Sequence, residues 1–257
     1  MNQPEMKRPR HPDDDPSMNS WFTPAFDTFA QGGENLLRLM RSLIGTTRYI
    51  EYWRQDRSYE ENQAAAGVDP LTDPKAYLDF QRTLKHKGDK SFSLPAFAYS
   101  NKVFPGNPVK ESLTMKYSGG VEERGVNRLG IIPSLTDGKT NLTLDEWLRV
   151  IGTIIDWRQP RYIAVGSGNY GIHDRVFEHR VWNGWLGWFP VRIDRQGLPS
   201  YALTFDVGPG TLVATQETNV ITNDPAQRER AKEVEIALAQ MGVLPTHKYL
   251  LGRAKWQ

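Results

Sequence analysis

The residue types that could do chemistry gather between positions 166 and 179. Gly166-Ser167-Gly168-Asn169-Tyr170-Gly171 fits G-x-G-x-x-G. In a dinucleotide-binding unit those glycines permit a tight turn and bring a helix N-terminus against a pyrophosphate. Here the pattern follows a predicted strand at Tyr162 to Val165, but it lies well past the middle of the chain and runs into an aromatic strand instead of a strand-helix-strand unit. A glycine turn is the favoured reading, and a small-ligand or nucleotide-using enzyme built on loop 166–171 is the alternative. Just beyond it, His173, Asp174, Glu178 and His179 are zinc-ligand types. Their histidines stand at i and i+6, which puts them on different sides of a helix, unlike the i, i+4 pair of a metalloprotease, so the spacing reads as an exposed polar loop. Glu122-Glu123-Arg124 offers two adjacent carboxylates and also the usual makeup of a solvated loop. No G-x-S-x-G elbow occurs. The sequence therefore assigns no catalytic, cofactor-binding or metal-binding residue.

The elements that must position these groups alternate between strand and helix textures without a regular period. Leu37, Met40, Leu43 and Ile44 repeat at helical spacing ahead of Gly45, predicting a helix over about 34–44. Tyr49 to Trp53 is too short an apolar run to assign by period. Asp73-Pro74 reads as the cap and first turn of a helix with Tyr77, Phe80, Gln81 and Leu84 inward. Strands are expected at Phe97 to Phe104, Ser112 to Tyr117 and Asn127 to Ile132, separated by Pro- and Gly-containing turns. Thr143 and Glu146 form a capping box before an amphipathic helix with Trp147, Leu148, Ile151, Ile154 and Ile155 on its buried side. Tyr201 to Val207 and Thr211 to Thr215, joined by Gly208-Pro209-Gly210, predict a hairpin. Asp224-Pro225 opens a last helix whose stripe is Ala231, Val234, Leu238 and Met241, ended at Gly242. Adjacent strands with interspersed helices imply an α+β fold, a mainly antiparallel sheet with flanking helices in a single main domain. The expected organisation is a disordered tail over 1–20, an N-terminal helical extension over 21–45 and the α+β domain over 46–250.

Between the glycine turn and that hairpin, Val181 to Pro190 places three of the chain's eight tryptophans within seven residues. With strand period two, Trp182, Leu186 and Trp188 share one face and Trp185 and Phe189 the other. Such a strand lies in a sheet covered on both sides, or leaves one aromatic face for a partner. Sheet core is the favoured reading, and Trp185 and Trp188 stay candidate partner contacts under the other.

Bulk properties narrow the function classes. The 257 residues carry 32 basic and 30 acidic side chains, a formal net charge of +2, with the two signs mixed along the chain. No single-sign field favours wrapping nucleic acid or imitating it. There is no cysteine, hence no disulfide framework and no thiol metal site. The charged, Pro-containing start has no apolar signal region and no run approaches eighteen apolar residues, so a cytoplasmic protein without a membrane partner is expected.

Several stretches taken in order carry a family resemblance: Tyr49 to Arg54, Gly119-Gly120, Gly184-Trp185-Leu186-Gly187-Trp188-Phe189-Pro190, Gly208 to Thr215, Ala231 to Glu235, and Gly242-Val243-Leu244-Pro245. Together, over about 46–246, they resemble the Immunity protein 52 family of bacterial polymorphic-toxin systems. The resemblance implies a non-enzymatic protein without cofactor that binds and neutralises a cognate nuclease toxin, commonly restriction-endonuclease-like, in a type VI secretion setting. It supplies no catalytic residues. For the contact surface, Glu122, Glu123, Asp174 and Glu178, together with Glu60 and Glu61, are the acidic candidates to meet basic residues of a DNA-binding cleft.

Overall fold

The computed structural model describes residues 15–23, 27–55, 69–84, 91–100, 102, 111–119, 127–133 and 142–252. Their strands are β1 (Pro16–Phe22), β2 (Tyr52–Arg54), β3 (Phe92–Tyr99), β4 (Glu111–Gly119), β5 (Arg128–Pro133), β6 (Pro160–Ser167), β7 (Gly184–Phe189), β8 (Leu203–Val207) and β9 (Gly210–Ala214). The helices are α1 (Phe29–Leu43), α2 (Pro74–Thr83), α3 (Leu144–Trp157), α4 (Pro225–Gln240) and α5 (His247–Leu250). One antiparallel sheet takes all nine strands in the order β2-β3-β4-β5-β1-β6-β7-β9-β8. The α+β class is therefore as expected.

Register shows how the alternation builds the core. A single row across eight strands reads Ala96, Met115, Ile131, Met18, Val165, Leu186, Ala214 and Leu203. These residues point to one face, against which α1 and α3 pack. Tryptophan N–H groups tie this layer internally: Trp53 Nε1 donates to the Met40 carbonyl (3.1 Å) and Trp157 Nε1 to the Asn35 carbonyl (2.9 Å). On the second face, α4 packs against β7, beside the loop that follows β6.

The largest departure from expectation is at the start of the chain. Residues 1–20 are expected to be an unstructured tail, yet Pro16 to Ser20 belong to β1, hydrogen-bonded to β5 on one side and β6 on the other. Residues 1–14 lie outside the described set. Averaging charge and proline over twenty residues hides a seven-residue strand in which Met18, Ser20 and Phe22 are fully buried. The expected boundary between a 21–45 extension and a 46–250 domain dissolves for the same reason: β1 is a central strand, and α1 packs on α3, β3 and β4. α1 itself begins earlier than its apolar stripe indicates, at a capping box in which Thr28 Oγ1 accepts from Gln31 N–H and the Gln31 side chain accepts from Thr28 N–H.

Smaller corrections follow from local competition. β3 is displaced towards the N-terminus of the expected 97–104 run, Tyr49 to Trp53 resolves into the short β2, and Phe80 and Leu84 stay 41% and 61% exposed. The capping box predicted for α3 and the Asp-Pro starts predicted for α2 and α4 are all formed. In the aromatic stretch the expected alternation breaks between Trp182 and Leu186, because Gly184 takes φ +87° and the β6–β7 register slips beside it. Trp182 consequently lies on the face of Gly187 and Phe189, opposite Leu186 and Trp188: a Cβ on Gly187 would meet the Trp182 ring at 2.6 Å and Phe189 at 3.1 Å.

Two stability outcomes are expected. Deleting residues 15–22 removes the strand both halves of the sheet pair with, so circular dichroism should show no cooperative melt; a native-like transition would overturn the central role of β1. Trp188→Ala removes a fully buried ring whose Nε1 donates to the Val207 carbonyl (3.0 Å), and urea denaturation should record a loss of about 3–5 kcal/mol.

Candidate partner-binding surface

Of the sequence-predicted contact residues, the structure brings two together. Asp174 and Glu178 lie in the segment between β6 and β7, which opens as a π-helical turn at Tyr170–Asp174, a form frequent at functional sites. Glu178 is exposed, whereas Asp174 is largely covered and pairs with Arg228 of α4 at 3.9 Å. Glu122, Glu123, Glu60 and Glu61 lie outside the described residues. Trp185 and Trp188 are corrected outright as contact candidates: they are 1% and 0% exposed, in a strand with every residue buried, because α4 covers β7 on one face and the α1–α3 core lies on the other. Both indole N–H groups are satisfied internally, Trp185 by the Gln216 carbonyl (3.0 Å).

Within the glycine motif, Gly166 is a close-packed position. A Cβ at Gly166 would collide with the Asn183 carbonyl oxygen, and the Tyr170 ring lies against Gly184. Among the described residues no group of three or more His, Cys, Asp or Glu side chains is placed to hold a metal ion.

What fixes the 170–180 loop is a residue on α4. Glu235 is fully buried, in the stripe with Ala231, Val234 and Leu238. Its Oε2 accepts from the Tyr170 hydroxyl (2.9 Å), and its Oε1 accepts from the N–H groups of Val176 and Phe177 (3.1 Å each). Burial raises the carboxyl's pKa above the ordinary glutamate value, opposed by those three hydrogen bonds and by nearby Arg175. Burial, with the Glu235 charge, raises the Tyr170 phenol as well. The far end of the loop is held from the segment before α5: Val181 N–H donates to the Pro245 carbonyl (3.1 Å), His247 N–H to the His179 carbonyl (2.9 Å), and the Arg180 guanidinium to the Leu244 carbonyl.

A backbone tied at both ends presents side chains outward. Ile172 is 70% exposed and Val176 38%, with His173, Glu178 and His179 exposed around them. Ile172 is the most exposed of the large hydrophobic residues among those described. A single exposed apolar side chain needs no explanation, but here it stands on a loop whose shape is set by a buried carboxylate, an arrangement with a desolvation cost of its own. Apolar anchors within a charged rim are the composition of a protein-binding patch. Sequence reasoning reached the polar members of this loop and passed over Ile172 and Glu235. Their signal was present, as an apolar residue inside a polar run and an acid in an inward stripe.

No family model matches the chain, and no curated protein matches it. Among solved structures the chain is similar to a Pseudomonas aeruginosa T6SS protein, PA0821, at 10% identity with a TM-score of 0.47, over 94% of this chain and 76% of that one. At that level the likeness fixes neither fold nor role. Among the described residues no helix is long and apolar enough to cross a membrane.

The clamp has a pH signature. Because the native pKa of Glu235 is raised, its contribution to stability is fullest below the ordinary glutamate pKa and is lost as pH rises through the native value. Glu235→Gln keeps an acceptor for the two amides without the charge, so wild-type stability minus variant stability should fall as pH rises above about 4, the ordinary glutamate range; a rise would overturn the assignment. Glu235→Ala leaves two amides and a phenol unpaired, at about 2–4 kcal/mol, with faster hydrogen exchange at Val176 and Phe177.

Proposed function

We propose that this chain is a non-enzymatic inhibitor, an immunity protein that binds a cognate secreted nuclease toxin and silences it stoichiometrically. The sequence resemblance to the Immunity protein 52 family supports this reading and supplies the restriction-endonuclease-like toxin and the type VI secretion setting. The single observation that carries it is the 170–180 loop, in which Ile172 is held out at 70% exposure on a backbone clamped by buried Glu235. Binding is then by a local patch with an apolar anchor, in which burial of the Ile172 side chain contributes about 1.5–3 kcal/mol. Such a contact works by occupying a surface of the toxin, and the protein's own turnover, metal or cofactor plays no part.

The test mixes purified protein with the toxin domain encoded by the neighbouring reading frame and follows plasmid cleavage against molar ratio. Protection should end sharply near about one equivalent, as expected for tight binding. Ile172→Asp should leave the thermal melt unchanged and weaken the complex by about 2 kcal/mol or more, the size of an anchor loss. Protection by a small fraction of an equivalent would point to an enzyme, and absence of any complex would sink the proposal for that pair.

A further inference from the structure

The second face of the sheet changes character between β1 and β6. One register row on it reads Pro95, Lys116, Gly130 and Asn19 on β3, β4, β5 and β1, then Ala164, Gly187 and Val213 on β6, β7 and β9. The second half is buried. In the first half Lys116 and Arg128 are exposed and Ile132 is 56% exposed. The positions on this half of the face, 93–97, 114–118, 128–132 and 17–21 in alternation, include no Asp or Glu, and of them Phe97 and Trp21 are buried.

Lys116 and Arg128 are diagonal neighbours, since Lys116 pairs with Gly130 and Ser118 with Arg128, so their backbone positions stand about 7–8 Å apart on one face. Neither has a carboxylate partner among the described residues. The Arg128 guanidinium lies over Trp21 at 5.5 Å and donates to Asn19 Oδ1 at 3.2 Å, and partial burial lowers its pKa without an anion to offset the cost. Among the described residues, a Cβ added at neighbouring Gly130 would meet nothing nearer than the Met18 carbonyl oxygen at 3.9 Å. Glycine inside a strand weakens it and often marks the close approach of another backbone.

We propose that this open half-face receives an acidic segment of the partner protein, laid over Gly130 between Lys116 and Arg128 with Ile132 as its apolar neighbour. The proposal rests on the reading that the chain works by binding a protein. Charge complementarity selects the occupant, and the covered state of Trp21, 9% exposed beneath Arg128, leaves no open ring there on which a nucleic-acid base could stack. Size points the same way. Four strands about 4.8 Å apart and five residues long at about 3.4 Å give a floor of roughly 300 Å², below the roughly 800 Å² that each side of a standard interface buries. A partner seated here therefore reaches further across the surface than this half-face alone.

The experiment measures affinity for the neighbouring toxin domain by calorimetry at about 0.05 M and about 0.5 M salt, since screening separates exposed charge from buried anchor. Lys116→Glu with Arg128→Glu should lower affinity at least about thirtyfold at the lower salt and much less at the higher, while Ile172→Asp acts alike at both. Gly130→Val, which fits the open space, should hold or raise the melting temperature yet weaken binding about tenfold or more by filling the seat. Lys116→Gln with Arg128→Gln replaces the reversed pair if that fails to fold. Unchanged affinity in these variants overturns the half-face and leaves the inhibitor reading standing. Absence of any wild-type complex overturns both. Binding of a single-stranded oligonucleotide by wild type, lost on charge reversal, overturns the acidic-protein assignment in favour of nucleic acid.

Discussion

β1 is the constraint on which the remaining structure depends. Removed from the sheet, it would leave β2-β3-β4-β5 and β6-β7-β9-β8 as two four-stranded pieces with facing unpaired edges. Inserted, it hydrogen-bonds to both and passes the apolar row through Met18, between Ile131 and Val165, without a break. The chain leaving β1 is fixed by a polar knot: Asp27 Oδ2 accepts from the Tyr117 hydroxyl (2.7 Å), Asn127 Nδ2 (3.0 Å) and Arg158 Nη1 (3.0 Å). That one carboxylate joins the β1–α1 connection to β4, to the start of β5 and to the end of α3. A sparingly exposed ion pair of this kind, 13% and 21% for its two side chains, is costly to break by halves, because the survivor is left charged without a partner.

The sequence made local decisions visible and long-range ones obscure. Thr143 with Glu146, Asp73 with Pro74 and Asp224 with Pro225 are signals closed within one helical turn, and each stands at the helix start it predicts. The hairpin around Gly208-Pro209-Gly210 belongs to the same class. By contrast, nothing in Pro16 to Phe22 announces a central strand, since its two partners are more than a hundred residues away in the chain and its own composition is mixed. The loop Tyr170–Arg180 was half legible. Its charged residues identify a solvated segment, but only the fold brings α4 across it and turns Glu235 from one more helix carboxylate into the acceptor for Val176 and Phe177. The tryptophan strand shows the converse limit: large aromatic area marks a residue as energetically important without saying whether protein or partner covers it, and here the protein does.

These placements divide the packed core from the outward surface. The apolar row and the α1–α3 layer hold the fold through contacts that tolerate little change in volume. The outward side chains of the 170–180 loop, and Lys116 on the β4–β5 half-face, touch little of that core, because the loop is held by hydrogen bonds from its backbone and the half-face is the reverse side of strands already paired; Arg128 differs, since it covers Trp21. Substitutions at Ile172 or Lys116 thus leave the core contacts in place, whereas one at Arg128 also uncovers Trp21. Glu235 is the exception that couples the two. Its carboxylate is inside the core, its ligands are the amides of the 170–180 loop, and a change at that position alters the shape of the loop while every outward side chain on it stays the same.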